Sequence, residues 1–155
     1  MVMTSAVEDL LAEVVDPEIP VLTIADLGIL RGATVGENGV VTVTITPTYS
    51  GCPAMGVIEE DIISALGRAG YERVVVQTTF TPAWTTDWVS EDAKRRLNDY
   101  GIAPPQEVGD TPEPVLCPQC AAPETRLVAE FGSTACKALM VCSSCGEPFD
   151  HFKAI

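Results

Sequence analysis

Val40-Val-Thr-Val-Thr-Ile-Thr-Pro-Thr-Tyr-Ser-Gly-Cys-Pro-Ala-Met55 holds a strand, a loop and the start of a helix. Val40–Thr46 alternates apolar residues with threonine and is rich in β-branched side chains, which suit a pleated, half-buried surface. Pro47 removes a backbone donor and ends the strand. Pro53 falls at a first-turn position of a helix, where its missing N–H costs nothing. Met55, Ile58, Ile62, Ile63 and Leu66 follow at helical spacing as the expected buried stripe. Gly67 and Gly70 bracket the end of that helix, and Glu72–Phe80 reads as the next strand. If the two strands lie parallel, the loops after them leave one edge of the sheet, where ligand sites on such sheets lie. Those loops hold Cys52 and Trp84.

Upstream, Thr4 or Ser5 can cap a first helix running to about Val15. Its apolar stripe is Val7, Leu10, Leu11, Val14 and Val15, with Glu8 and Asp9 in the first turn. Asp16-Pro17 ends it, because a residue before proline avoids the helical region. A loop over 18–26 follows, Leu27-Gly-Ile-Leu30 leads into a short strand, and Gly36-Glu-Asn-Gly39 is a hairpin turn signal. Downstream, Ser90 caps a helix from Glu91 to about Tyr100, closed by Gly101. Pro104 to Pro114 is an acidic, proline-rich linker. The order predicts an α+β fold: a small mixed sheet with flanking helices over residues 1–103, a linker over 104–114, and a separate C-terminal module over 115–155.

That module carries the most specific chemical signal. Cys117-Pro-Gln-Cys120 and Cys142-Ser-Ser-Cys145 are two i, i+3 thiol pairs with 21 residues between them. Each pair on a tight turn supplies half a tetrahedron, and a hairpin brings the halves together. Thr125–Phe131 and Ala138–Val141 are the strand-like runs between them. The spacing predicts a zinc ribbon with Cys117, Cys120, Cys142 and Cys145 as ligands. A segment this short cannot fold firmly on apolar burial alone, so the metal supplies folding free energy. Iron could occupy the same thiolate set, but a closed four-cysteine site suits a structural, redox-silent zinc. Cys136 breaks the four-ligand arithmetic and stays open: a spare buried thiol, an alternative ligand, or half of a second site with Cys52. His151, the sole histidine, is expected to pack rather than ligate.

The formal net charge is −13, with 17 acidic and 6 basic residues in 1–112 against 5 and 3 in 113–155. So acidic a chain repels phosphate backbones, which argues against nucleic acid as a partner. No basic start with an apolar core opens the chain, and no run of 18 apolar residues exists. Neither secretion nor a membrane is expected, and a reducing cytoplasm with metal-bound thiolates is favoured over disulfides. There is no phosphate loop, dinucleotide fingerprint or paired Glu-x-x-His motif. With one histidine, far from Cys52 in sequence, a cysteine–histidine hydrolase is also disfavoured. The chain reads as a non-enzyme.

Cys52 lies between a strand end and a helix start. There the helix dipole favours a thiolate that can bind metal or attack a disulfide; the alternative is a small buried residue at the junction. Thr46, Thr48, Tyr49 and Ser50 could donate hydrogen bonds nearby. Asp16-Pro-Glu18 offers two carboxylates for a metal or for acid–base work, or simply a helix-ending turn. Asp26 reads as a turn cap.

Asp16-Pro-Glu-Ile-Pro-Val, Asp26-Leu-Gly-Ile-Leu and Thr46-Pro-Thr-Tyr-Ser-Gly-Cys-Pro-Ala-Met together resemble the iron–sulfur assembly factor family that includes the cytosolic iron–sulfur targeting proteins. Thr81-Pro-Ala-Trp-Thr-Thr-Asp-Trp, Tyr100-Gly-Ile-Ala-Pro-Pro, Phe131-Gly-Ser-Thr-Ala-Cys-Lys-Ala-Leu and Glu147-Pro-Phe-Asp-His-Phe-Lys153 narrow the resemblance. They are similar to the small-subunit family encoded with the phenylacetyl-CoA 1,2-epoxidase complex. The resemblance covers nearly the whole chain. It implies an accessory factor rather than the oxygenase, with the complex's subunits as partners and its reductase a candidate client. It implies that Cys52 is the reactive cysteine and that Asp16 and Glu18 are the acidic motif, handling an iron or iron–sulfur species transiently. Whether the chain self-associates stays open. A structural subunit that never touches metal is the rival expectation.

Overall fold

The computed structural model describes residues 4–48, 52–109 and 113–155, in two compact units, Met1–Trp84 and Thr85–Ile155. Tyr49 and Ser50, expected as donors near Cys52, lie outside the described residues, as do residues 110–112 of the linker.

In the first unit, α1 (Thr4–Leu11) ends well before Val15. Val7 and Leu11 are fully buried, but Val15 is 40% exposed and forms an isolated antiparallel bridge with Thr23. Because α1 starts at Thr4, Glu8 and Asp9 lie beyond its first turn rather than within it. The loop after α1 is as apolar inside as any helix: Ile19, Leu22, Ile24, Leu27 and Ile29 are all buried. Its backbone is tied down by the Asp16 N–H to the Leu22 carbonyl and the Ile24 N–H to the Val14 carbonyl, each 2.9 Å.

β1 (Leu30–Val35) and β2 (Val41–Ile45) pair antiparallel through the Gly36–Gly39 turn, where Gly39 takes φ 79°. That left-handed value favours glycine. α2 (Ala54–Arg68) then crosses to β3 (Val74–Thr78), which runs parallel to β2, giving a mixed sheet of order β1-β2-β3. Because β2 and β3 are parallel, the loops after them leave at the same end of the sheet. The buried stripe of α2 is Ala54, Ile58, Ile62 and Leu66. Ile63 does not join it and is 44% exposed, since one residue of helix turns about 100° away from Ile62. Trp84 closes the unit: it is buried, and its Nε1–H donates to the Leu27 carbonyl at 2.8 Å.

The second unit opens with a 3₁₀ turn, Thr86–Trp88, and α3 (Glu91–Tyr100). Ser90 Oγ accepts the Ala93 N–H at 3.1 Å, and Gly101 ends α3 at φ 98°. β4 (Ile102–Ala103), β5 (Thr125–Ala129), β6 (Lys137–Cys142) and β7 (Pro148–Phe152) form a second sheet of order β4-β7-β6-β5. β4 pairs parallel with β7; the other pairs are antiparallel. The proline-rich stretch at 104–114 suggests a boundary after α3 and β4; both lie in the second compact unit. One core cluster of the second sheet is Ala103, Cys117, Met140, Cys142 and Phe149, with Val115 and Ala122 against it; Leu97, Ile102, Ala138 and Phe152 of this unit are also buried. Among the described residues no helix is long and apolar enough to cross a membrane.

Candidate functional site

The two expected cysteine pairs sit on two turns of the same construction. In the first, the Ala121 N–H donates to the Cys117 carbonyl at 2.8 Å and the Cys117 N–H to the Ala122 carbonyl at 3.0 Å. In the second, the Gly146 N–H donates to the Cys142 carbonyl at 2.9 Å and the Cys142 N–H to the Glu147 carbonyl at 2.9 Å. Each turn also aims an amide at its first sulfur: Gln119 N–H to Cys117 Sγ and Cys145 N–H to Cys142 Sγ, both 3.4 Å. Such amides stabilise negative charge on sulfur.

The four sulfurs of Cys117, Cys120, Cys142 and Cys145 all lie within 4.8 Å of one another. Cys117 and Cys145 are 3.7 Å apart, Cys120 and Cys142 3.6 Å. A tetrahedron with metal–sulfur bonds of about 2.3 Å has edges of about 3.8 Å, so the set is spaced for one ion. Its electrostatics point the same way. The Cys145 amide, above all, pulls the Cys142 thiol down to about 7. Cys120 goes the other way: the Ala122 amide lowers it, but desolvation and the three neighbouring thiols outweigh this and push it up to about 12. Cys145 is likewise raised, as desolvation, Cys142 and Cys117 overcome the pull of the Glu147 amide. One thiolate forms readily and a second is resisted by the first; a divalent cation removes that resistance. Cys136 is outside this set. It is buried, with the Thr134 hydroxyl 3.0 Å from its sulfur. His151 is outside it too, half-buried, with Nε2 making no hydrogen bond to a described residue.

In the first unit, Cys52 is half-buried at the mouth of α2, one residue before the Pro53 cap. The Thr48 hydroxyl reaches its sulfur at 3.9 Å. Thr46 is buried, and its hydroxyl has no partner among the described residues. A helix dipole by itself would depress the Cys52 pKa, but here the net direction is upward. Burial pushes the Cys52 thiol up, the Ala54 amide and the Thr48 hydroxyl only partly offset this, and the negative charges of Glu18 and Asp16 push it further. The helix end is legible locally, whereas the effect of Glu18 and Asp16 on the thiol depends on the loop after α1, which only the resemblance links to Cys52.

Asp16 is itself buried. Its Oδ1 accepts the Glu18 N–H at 2.7 Å and the Ile19 N–H at 2.9 Å, so it builds the turn after α1. Asp26 caps a turn as expected: its Oδ2 accepts the Thr23 N–H at 2.9 Å, and the Thr23 hydroxyl accepts the Asp26 N–H at 3.1 Å. The site holds its thiol toward the protonated form, mainly by burial, within the negative field of Glu18 and Asp16. It repels a second anion and attracts a cation.

Two family models match this chain: an iron–sulfur cluster assembly protein model over residues 4–78 and a PaaD zinc β-ribbon domain model over residues 102–153. A protein of Escherichia coli (strain K12), named as a subunit of 1,2-phenylacetyl-CoA epoxidase, is 51% identical over 94% of this chain and 90% of its own length. An Fe-S protein maturation auxiliary factor of Porphyromonas gingivalis is 42% identical over 57% of this chain and 84% of its own. Among solved structures, a domain of unknown function from Bacillus anthracis superposes with a TM-score of 0.57 at 30% identity. It covers 61% of this chain and 91% of that one.

Proposed function

The chain belongs to the PaaD family, carrying both its iron–sulfur assembly domain and its zinc β-ribbon, and on that premise we propose a non-enzymatic accessory factor of a phenylacetyl-CoA epoxidase system. It assists iron or iron–sulfur cluster assembly on a partner subunit, with the reductase the first candidate client, in the cytoplasm. The assembly work resides in the first unit, Met1–Trp84, which holds Cys52, Asp16 and Glu18, and the ribbon lies in the second.

The observation that carries this reading is that Cys52 lies within the electrostatic reach of Glu18 and Asp16, all three in the stretch matched by the assembly-protein model. Burial chiefly keeps the thiol protonated, and the charges of Glu18 and Asp16 that add to this also favour an arriving iron cation. Binding iron displaces the Cys52 proton, and the cation offsets the repulsion that the new thiolate would otherwise meet from Glu18 and Asp16. Departure of the cargo restores the proton. A site whose ligand prefers its proton holds metal briefly, which suits handover rather than storage.

The four-cysteine centre has a different role. Its spacing fits zinc, with Cys117, Cys120, Cys142 and Cys145 as ligands, and such an ion supplies folding free energy rather than chemistry.

Complementation of a deletion strain with Cys52→Ser, followed by metal analysis of the reductase and oxygenase, tests the proposal. Under-loaded partner subunits are expected. Fully loaded subunits and normal growth on phenylacetate would instead support a structural subunit, the reading favoured by the exposed Leu127, Val128 and Phe131 of the ribbon.

A further inference from the structure

An open groove of about 530 Å³ runs between α1 and α2, in the first unit. Its apolar lining includes Val14, Val15 and the small Ala65; charged Glu13, Asp61 and Arg68 also line it. Val15 stands 40% exposed. Val57, 44% exposed, lies one turn before Asp61 on the same side of α2 and extends the apolar strip. None of the three charged side chains makes an ion pair with another described residue. Nothing in the chemistry of Cys52 or of the four cysteines uses this surface.

We propose that the groove docks an amphipathic helix of a protein partner, apolar on one face and bearing lysine or arginine beside it. A helix-lined trough with an apolar floor receives helices, whereas an extended peptide would need a free sheet edge. Charge selects the kind of helix. Residues 1–84 carry 11 acidic and 3 basic side chains, a field that draws cationic partners. Two of the three charges along the groove are carboxylates. A second copy of this chain would set acidic helix against acidic helix, and like charges facing each other cost binding. An anionic lipid surface is disfavoured for the same reason. The inference rests on the accessory reading only for the expectation that a client subunit offers such a helix; it needs neither thiol nor metal.

The test uses the full chain and two synthetic helical peptides of equal length, one of leucine and lysine, the other of leucine and glutamate. Amide resonances are followed during titration. The lysine peptide should shift Val14, Val15 and Ala65, and bind about tenfold more weakly to Asp61→Lys and to Ala65→Trp, which fills the trough. The glutamate peptide should not bind. Should Ala65→Trp fail to fold, Asp61→Lys and Val15→Lys, both at exposed positions, carry the test. Binding untouched by these variants, shifts confined to other surfaces, or equal binding of both peptides would each overturn the proposal. So would a dimer in sedimentation that the groove variants dissociate. Cys52→Ser should bind the lysine peptide as the parent does, so loss of docking and loss of metal handling are separable.

Discussion

Ala121 and Gly146 occupy the same position in the two cysteine turns, each directly after the second cysteine, and both take left-handed backbone conformations, at φ 62° and 78°. Their amides make the same bond, to the carbonyl of the first cysteine of their turn. Only one of the two is a glycine. Ala121 is the sole non-glycine residue with positive φ among the described residues.

An L-residue in this region costs roughly 1–2 kcal/mol, part of which glycine gives back through its freer unfolded chain. Ala121→Gly should therefore stabilise the ribbon by about 0.5–1 kcal/mol, and Gly146→Ala should destabilise it by about 1 kcal/mol. Thermal unfolding of the metal-loaded protein reads both. Equal effects of the same sign would mean that the two turns are not equivalent.

Metal analysis should find about one zinc per chain, and Cys142→Ala should lose it. Cys142 is the thiol pulled lowest, to about 7, so it is the first anchor for an incoming cation. Cys117 and Cys142 belong to a core cluster of the second unit, so loss of metal should expose the ribbon's amides to hydrogen exchange while the first unit stays protected. Full zinc occupancy in Cys142→Ala, or an ordered metal-free ribbon, would contradict the assignment.

Local signals are legible in the sequence, and those that depend on distant partners are not. The convergence of four sulfurs follows from two i, i+3 pairs and a hairpin. The Ser90 cap, the Gly101 stop and the strand character of Val41–Ile45 are each decided within a few residues. β4 is two residues long and exists only because β7 accepts it; β7 begins at a proline and has no β-branched run. Ile63 reads as core because apolar type alone marks it, whereas burial is set by what covers that side of α2. The Cys52 thiol departs from expectation for the same reason: its helix end is local, but Glu18 and Asp16 come from the far side of the sheet's first hairpin in sequence.

His151 gives the second unit an acid-sensitive element. Burial, with a smaller contribution from Lys153, holds its pKa below the ordinary 6.5. Above 6.5 the folded and unfolded chains are both neutral there, so stability is level. As pH falls below 6.5 the unfolded chain takes a proton that the folded one resists, and stability is lost until the lower folded value is reached. His151→Leu should flatten this part of the pH profile. Removing an Nε2 that has no partner among the described residues should also stabilise the unit by about 1 kcal/mol at neutral pH. Urea unfolding at a series of pH values checks both; a pH slope unchanged by the substitution would remove His151 from the account.

Cys52 should react with iodoacetamide more slowly at neutral pH than an ordinary thiol, and its pH–rate profile should have a midpoint above 9.0. Burial is the largest cause, so no single substitution should restore an ordinary value. Glu18→Gln removes a nearby negative charge and should move the midpoint down. Thr48→Val removes the hydroxyl that stabilises the thiolate and should move it up. The two variants also separate the readings of function. If the carboxylate helps to draw iron to the thiol, Glu18→Gln should make Cys52 more reactive toward iodoacetamide yet poorer at ferrous iron binding. A merely structural Glu18 would leave iron binding unchanged or let it rise with the freer thiolate. Opposite movement of the two measurements is the outcome expected of a site that handles a cation. Parallel movement would return Glu18 to the turn that Asp16 builds and leave the thiol without its acidic partner.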